Sequence, residues 1–301
     1  MNRHLYSFVL IGSLLMFVGC TSSCGQSNAT KQKKKKTPEF TSFPAVAESF
    51  QKLSPSQQEA FAQVMNDEAC PCNCAKTFAG CLQAGTKCRA AVILADWVAG
   101  KLGSASADDL LLPLMQEIGS GYGAKLRTID VTQGHAKGAE NPKVTIVEFA
   151  DFDCPHCRVT APILDDFVKQ HKDDVRLVYK YLPRNTLAGQ NSAIAAQAAG
   201  QQGKFWEMHD ALFAIDRITD EKIAEAAKKI PGLKMDQYEK DRVDSAVQSE
   251  ITQSRLEASR LGINATPAIF FNGRPFLLNP DISGLEMRLA MELARNESTC
   301  D

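Results

Sequence analysis

The 301-residue sequence has almost no net charge, with 34 Lys and Arg against 35 Asp and Glu. That balance gives no support for electrostatic capture of nucleic acid or of acidic substrates, and no nucleic-acid partner is expected. There is no phosphate-binding glycine loop and no internal repeat, which narrows the fold only a little. Histidine is scarce at five residues, none at ligand spacing with a cysteine pair, so neither a metal nor a cofactor is expected. The chain is also too long for one average domain of about 150 residues, so a sizeable core plus a smaller module is expected. What the sequence does have is ten cysteines. So many point to an oxidising compartment, with disulfides or working dithiols.

The N-terminus points to the same compartment. Arg3 and His4 precede an apolar run, Leu5 to Val18, which falls short of the roughly 20 residues that span a bilayer and reads as an export signal. The run closes on Phe17-Val18-Gly19-Cys20, which resembles the lipobox of bacterial lipoproteins, although Phe17 stands where Leu is usual. The resemblance implies a signal peptide over residues 1–19, acylation of Cys20 and a lipid anchor in the cell envelope. Residues 20–44 are polar and include Lys31 and the run Lys33 to Lys36, the composition of a solvated tether.

Residues 45–123 read as a small, Cys-rich, all-α domain. Ser54-Pro55-Ser56-Gln57 is a cap with Pro at the first helical position, and Phe61, Val64 and Met65 then recur at helical spacing. A second helix over Ala90 to Leu102 stops at Gly103, and Ser106-Ala107-Asp108-Asp109 opens a third. Cys70, Cys72, Cys74, Cys81 and Cys88 lie between the first two helices without the paired C-x-x-C knuckles of zinc modules. Structural disulfides are the favoured reading, and the odd cysteine would pair with Cys300 or Cys24 or stay free. A second redox centre is the alternative, because the segment resembles the helical thiol domain of cytochrome-maturation proteins while lacking its C-x-x-C.

Beyond residue 124 the period changes. Val144–Ala150 is an apolar run expected to be a strand buried on both faces. It leads into Cys154, after which Val159, Ile163, Leu164, Phe167 and Val168 mark one face of a helix that Pro162 is expected to kink. Val175 to Leu182 reads as a strand, about 187–261 as helical, and Ala268–Phe271 with Pro275–Leu278 as a hairpin turned by Asn272-Gly273. A last helix runs from Ile282 to about Arg295. This order describes an α/β domain with helices on a mixed sheet.

Cys154-Pro155-His156-Cys157 sits where the strand hands over to the helix. A separation of three on the first turn brings both sulfurs to one side, close enough to bond. Unpaired backbone N–H groups at the helix start favour a thiolate at Cys154, and His156 is placed to add donors or positive charge. Glu148, six residues earlier in the apolar strand, is expected to be buried with raised proton affinity and to exchange a proton with Cys157, the alternative being a solvated place at the sheet edge. His135, His171 and His209 have no catalytic company and read as surface or capping residues. Phe205 and Trp206 read as core anchors.

The segment Val144 to Cys157 resembles the active-site segment of the DsbA family of the thioredoxin superfamily, in its Cys-Pro-His-Cys tetrad and in the placement of Glu148. Ala265-Thr266-Pro267-Ala268 is similar to the cis-proline segment that faces the dithiol in that superfamily. Lys180-Tyr181 resembles its lysine-bearing strand, and Ala195 to Asp210 its helical insertion. The resemblance implies a thioredoxin-like fold over 124–301, a redox disulfide between Cys154 and Cys157, a cis Pro267, substrate pairing at the Thr266 backbone, and Lys180 near the buried acid. It further implies an enzyme exchanging protein thiols and disulfides, most simply a disulfide-forming oxidase recharged by a membrane redox partner. Thr266 departs from the Val usual in oxidases and keeps a reductase or isomerase open. A non-catalytic thioredoxin-fold binding module is the alternative outside enzymology.

Overall fold

The computed structural model describes residues 38–103 and 107–300. The signal segment, Cys20, Cys24 and the Lys31 to Lys36 tether lie outside the described residues. Residues 38–300 pack as one compact unit.

Four helices come first: α1 (Ala47–Gln51), α2 (Pro55–Asp67), α3 (Arg89–Leu102) and α4 (Ala107–Gln116). Ser54 closes a full capping box on α2, with its backbone N–H donating to Gln57 Oε1 at 2.8 Å. This satisfies donors that a helix start leaves orphaned, and α2 then buries Phe61, Ala62, Val64 and Met65. Between α2 and α3, disulfides join Cys70 to Cys81 and Cys72 to Cys88, and a third ties Cys74 to Cys300 at the far end of the chain. Asn73 adopts φ +57° between two of these cysteines, a left-handed turn that Asn tolerates and that lets Cys72 and Cys74 leave toward different partners.

The sheet has five strands in the order β1-β3-β2-β4-β5: β1 (His135–Gly138), β2 (Val144–Ala150), β3 (Val175–Tyr181), β4 (Ala268–Phe271) and β5 (Arg274–Phe276). β2 and β3 are parallel, joined by α5 (Pro155–Gln170), and the other neighbours are antiparallel. Five helices intervene between β3 and β4: α6 (Leu187–Gly200), α7 (Phe205–Phe213), α8 (Asp220–Lys228), α9 (Met235–Arg242) and α10 (Ser245–Arg260). α11 (Ile282–Leu293) follows the hairpin. This is a thioredoxin-like α/β fold with a helical insertion and a Cys-rich helical segment ahead of it.

Three details differ from the sequence reading. β1 has only four residues and no apolar alternation, so no periodicity announced it. β5 ends at Phe276 because Leu277 N–H turns instead to Glu117 Oε2 at 2.7 Å. Val159 is 66% exposed although its neighbours Leu164, Phe167 and Val168 are buried. Five residues of helix rotate it about 140° from Leu164, onto the outer face.

The helical segment and the sheet share one hydrophobic cluster, in which Phe61, Leu82 and Leu94 join Ile146, Phe271 and Leu289. A buried polar knot crosses the same junction. Arg288, fully enclosed, pairs with Glu117, bonds Glu292 Oε1 at 3.1 Å and donates to the Pro275 carbonyl at 3.1 Å. A buried guanidinium is costly without partners, and these contacts offset much of that cost although Nη2 is left without a hydrogen bond among the described residues.

Candidate active site

Each element delivers one part of the site. β2 is buried along nearly its whole length and carries Glu148 into the interior, 1% exposed. Its chain then turns through Asp151–Asp153, with Cys154 N–H donating to Asp151 O at 3.0 Å, and Cys154 becomes the N-cap of α5. Pro155 occupies the first helical position, where a missing N–H costs nothing. Cys157 lies one turn on, fully buried, and both cysteines are free thiols. From the other side the Thr266–Pro267 peptide, which is cis, brings the Thr266 carbonyl to 3.4 Å from Cys154 Sγ.

This arrangement divides the two sulfurs. The Cys154 thiol is pushed down to about 5, first by the hydrogen bond from the Cys157 side chain, against burial, and then by Thr266 and the backbone N–H groups of Cys157 and His156. Cys157 moves the other way, because its S–H donates the hydrogen bond to Cys154 and so holds its proton, is buried, and faces Glu148. The His156 side chain is exposed; it is the residue's backbone N–H that acts on the sulfur. Burial pushes Glu148 up to about 8, opposed by Lys137 and reinforced by Cys154. Its Oε1 has no hydrogen-bond partner among the described residues, nor has the Tyr179 hydroxyl on the register-paired position of β3. A buried carboxyl left so is more stable protonated, hence able to act as an acid toward a thiolate nearby.

Lys180 is not part of this group. It lies opposite Phe149, one residue out of phase with the Glu148–Tyr179 pair, and neighbouring strand residues point to opposite faces. Buried there, it pairs with Glu257. The cation on the Glu148 face is Lys137 of β1, which stands opposite Leu177, bonds Asp165 and lies 4.0 Å from the centre of the Trp206 ring. An unannounced strand hid this lysine from sequence reading.

Two further residues escaped it. Arg184 bonds Asp151 Oδ2 at 3.0 Å and Asp153 Oδ2 at 3.1 Å, bracing the turn that presents Cys154. Arg255 of α10 borders the cleft over Cys154. Asp151 and Asp153 were the available signal for a cation, but not for which one. Two histidines differ from expectation, while His171 is the C-cap of α5 as a capping role implies. His209 is buried, and His135 stacks on Phe205 and bonds Gln197 at 2.7 Å, its imidazole held neutral down to about 4 by burial. His171 bonds Glu286 at 2.7 Å.

Among the described residues the six remaining cysteines are all paired in disulfides. Nor is any described helix long and apolar enough to cross a membrane.

Known proteins resemble about half of the chain. The antiporter "Na(+)/H(+) antiporter NhaA 3" of Salinispora tropica is 33% identical over 149 residues, covering 48% of this chain and 22% of that protein. The chain thus spans about a quarter or less of the length of the antiporter relatives it matches. A "Probable disulfide bond formation protein D" of Bacillus anthracis is 27% identical over 171 residues, 52% of this chain and 77% of that protein. Among solved structures, DsbA2 of Pseudomonas aeruginosa is 30% identical, covering 51% of this chain and 91% of that one, with a TM-score of 0.45. The family model described as Thioredoxin matches residues 130–289, over half of the chain, and the protein belongs to that family.

Proposed function

We propose that the protein is an extracytoplasmic disulfide-forming oxidase whose redox centre is Cys154-Pro155-His156-Cys157. The observation that carries this reading is the polarisation of the pair: one sulfur stabilised as an anion at a helix start beside the cleft, the other buried, protonated and facing Glu148.

A substrate thiolate attacks Cys154 Sγ of the Cys154–Cys157 disulfide. The new bond joins substrate sulfur to Cys154, and the electron pair of the broken bond leaves on Cys157, which takes a proton from Glu148. A second substrate thiolate attacks the first substrate sulfur and forms the product disulfide. Cys154 departs as the stabilised thiolate, so two electrons have passed to the dithiol. Thr266 and Pro267 hold the extended substrate backbone. Lowering the Cys154 thiol to about 5 stabilises the reduced form at pH 7 by about 3 kcal/mol. For a two-electron couple that is roughly 60 mV toward oxidising power. A membrane redox partner would return the electrons.

Three disulfides and the signal-like start ending at Cys20 support an envelope setting, and loss of lipid labelling in Cys20→Ala checks the anchor. The reductase or isomerase reading draws on Thr266. Equilibration with glutathione decides between them. An oxidase settles near the roughly −120 mV of a strong oxidant and a reductase near −270 mV. Iodoacetamide should modify one cysteine with a midpoint near pH 5. A midpoint at the ordinary thiol value of about 8.5 would remove the basis for catalysis.

A further inference from the structure

We propose that the cleft beside Cys154 selects polypeptide segments carrying an acidic residue close to the reacting cysteine, and that Arg255 is the residue that reads it. The inference rests on the oxidoreductase reading above and adds the substrate class.

The cleft encloses about 490 Å³. Cys154 and Thr266 border it, Leu182 and Pro183 supply an apolar stretch after β3, and Arg184 and Arg255 bring charge. No carboxylate lines it. The chain's net charge of −1 therefore conceals a cleft whose permanently charged lining residues are both arginines.

The two arginines are not equivalent. Arg184 is neutralised by Asp151 and Asp153, which it braces. Arg255 has no carboxylate within ion-pair distance among the described residues, and its recorded bond is to the neutral Asn185 Oδ1 at 3.1 Å across the cleft. The helix offers no relief either, since the positions three and four residues away are Thr252, Ala258, Ile251 and Ser259. An unpaired guanidinium on the rim of a concave site, with fixed fork geometry, matches a carboxylate. A chain extended along Thr266 advances about 3.3 Å per residue, so alternate side chains near the cysteine face one wall.

The test uses the full-length oxidised protein and three dithiol peptides differing at one residue, Glu, Gln or Lys, two positions from the attacking cysteine. Solvent-exposed pairing changes an association step by a few-fold for each sign. The expected order of kcat/KM is Glu, Gln, Lys, with about 10-fold between the extremes at low ionic strength, shrinking at about 1 M salt. Arg255→Gln collapses that ratio and Arg255→Glu reverses the order. Equal rates for the three peptides, or a ratio that survives Arg255→Gln, would overturn the selectivity while leaving the oxidase intact. If none of the peptides is oxidised, both readings fall.

Discussion

Cys88 and Cys154 occupy the same kind of place, each being the residue that precedes a long helix. Their fates are opposite. Cys88 is 1% exposed, cross-linked to Cys72, with Ala91 three residues on. Cys154 has Cys157 at that position, a cis-proline segment against its sulfur, and a cleft beside it. A helix start lowers a thiol's proton affinity but does not make a redox centre. That takes a second sulfur within bonding reach, an opening for substrate and a proton source for the inner thiol. The Cys-rich segment uses sulfur to shorten the unfolded chain's options; the active site uses it to hold charge.

The comparison breaks most sharply by exchange of roles. Cys154→Ala should abolish thiol oxidation in a fluorescent dithiol-peptide assay, while Cys157→Ala accumulates mixed disulfides visible by mass spectrometry. Cys72→Ala with Cys88→Ala should leave turnover per folded molecule intact and lower unfolding stability by about 3 kcal/mol, as expected for a short loop. Residual turnover in Cys154→Ala would erase the distinction.

Next in size is the long staple. Cys74 and Cys300 are 226 residues apart, and chain entropy sets an upper limit of about 5 kcal/mol for such a closure. The double variant Cys74→Ser, Cys300→Ser should lose up to that much in urea unfolding, with the alkylation midpoint of Cys154 unmoved. A moved midpoint would mean that the two regions are coupled.

Glu148 supplies a smaller effect with a definite sign. Its folded value of about 8 lies above the ordinary 4.5, so between those limits the folded chain holds the proton more tightly than the unfolded one. Stability from this group is therefore lost as pH rises from 4.5 to 8. Cys154, lowered from 9.0 to about 5, gives the opposite slope in the reduced protein, with stability full above 9 and lost as pH falls through 5. Glu148→Gln should thus gain stability over the parent by a few kcal/mol at most at pH 8.5 and little at pH 4. It should also slow reduction of the active-site disulfide by substrate thiol in stopped-flow measurements. An unchanged pH slope would show that the carboxyl is hydrated.

The smallest effect lies in the capping box. Ser54→Ala should cost about 1 kcal/mol in thermal unfolding and leave Cys154 reactivity unmoved.

Much of this was legible in the chain. The buried strand Val144–Ala150, the dithiol on the helix that follows it, the hairpin at Asn272-Gly273 and the capped helix after Ser54 are local patterns, each written within a dozen residues. Misreadings came where a pattern lacked its usual signal. β1 has four residues without alternation, and with it went Lys137, so Lys180 was expected beside Glu148 though strand phase turns it to the other face. Val159 reads as part of one helix face with Leu164, Phe167 and Val168, and only its angular position on the folded helix shows it to be exposed.

The sequence by itself determined the parts of the candidate site: two cysteines three apart at a helix start, an acid in the strand before them, and a Thr-Pro segment to face them. Only the tertiary structure decided which cation faces that acid, which arginine braces the turn, which one stands unpaired over the cleft, and that Cys74 reaches Cys300. Periodicity and spacing record what a residue does along its own element. Which distant side chain completes a buried charge is settled by how strands register and helices pack, where many pairings share one composition and a single geometry satisfies them.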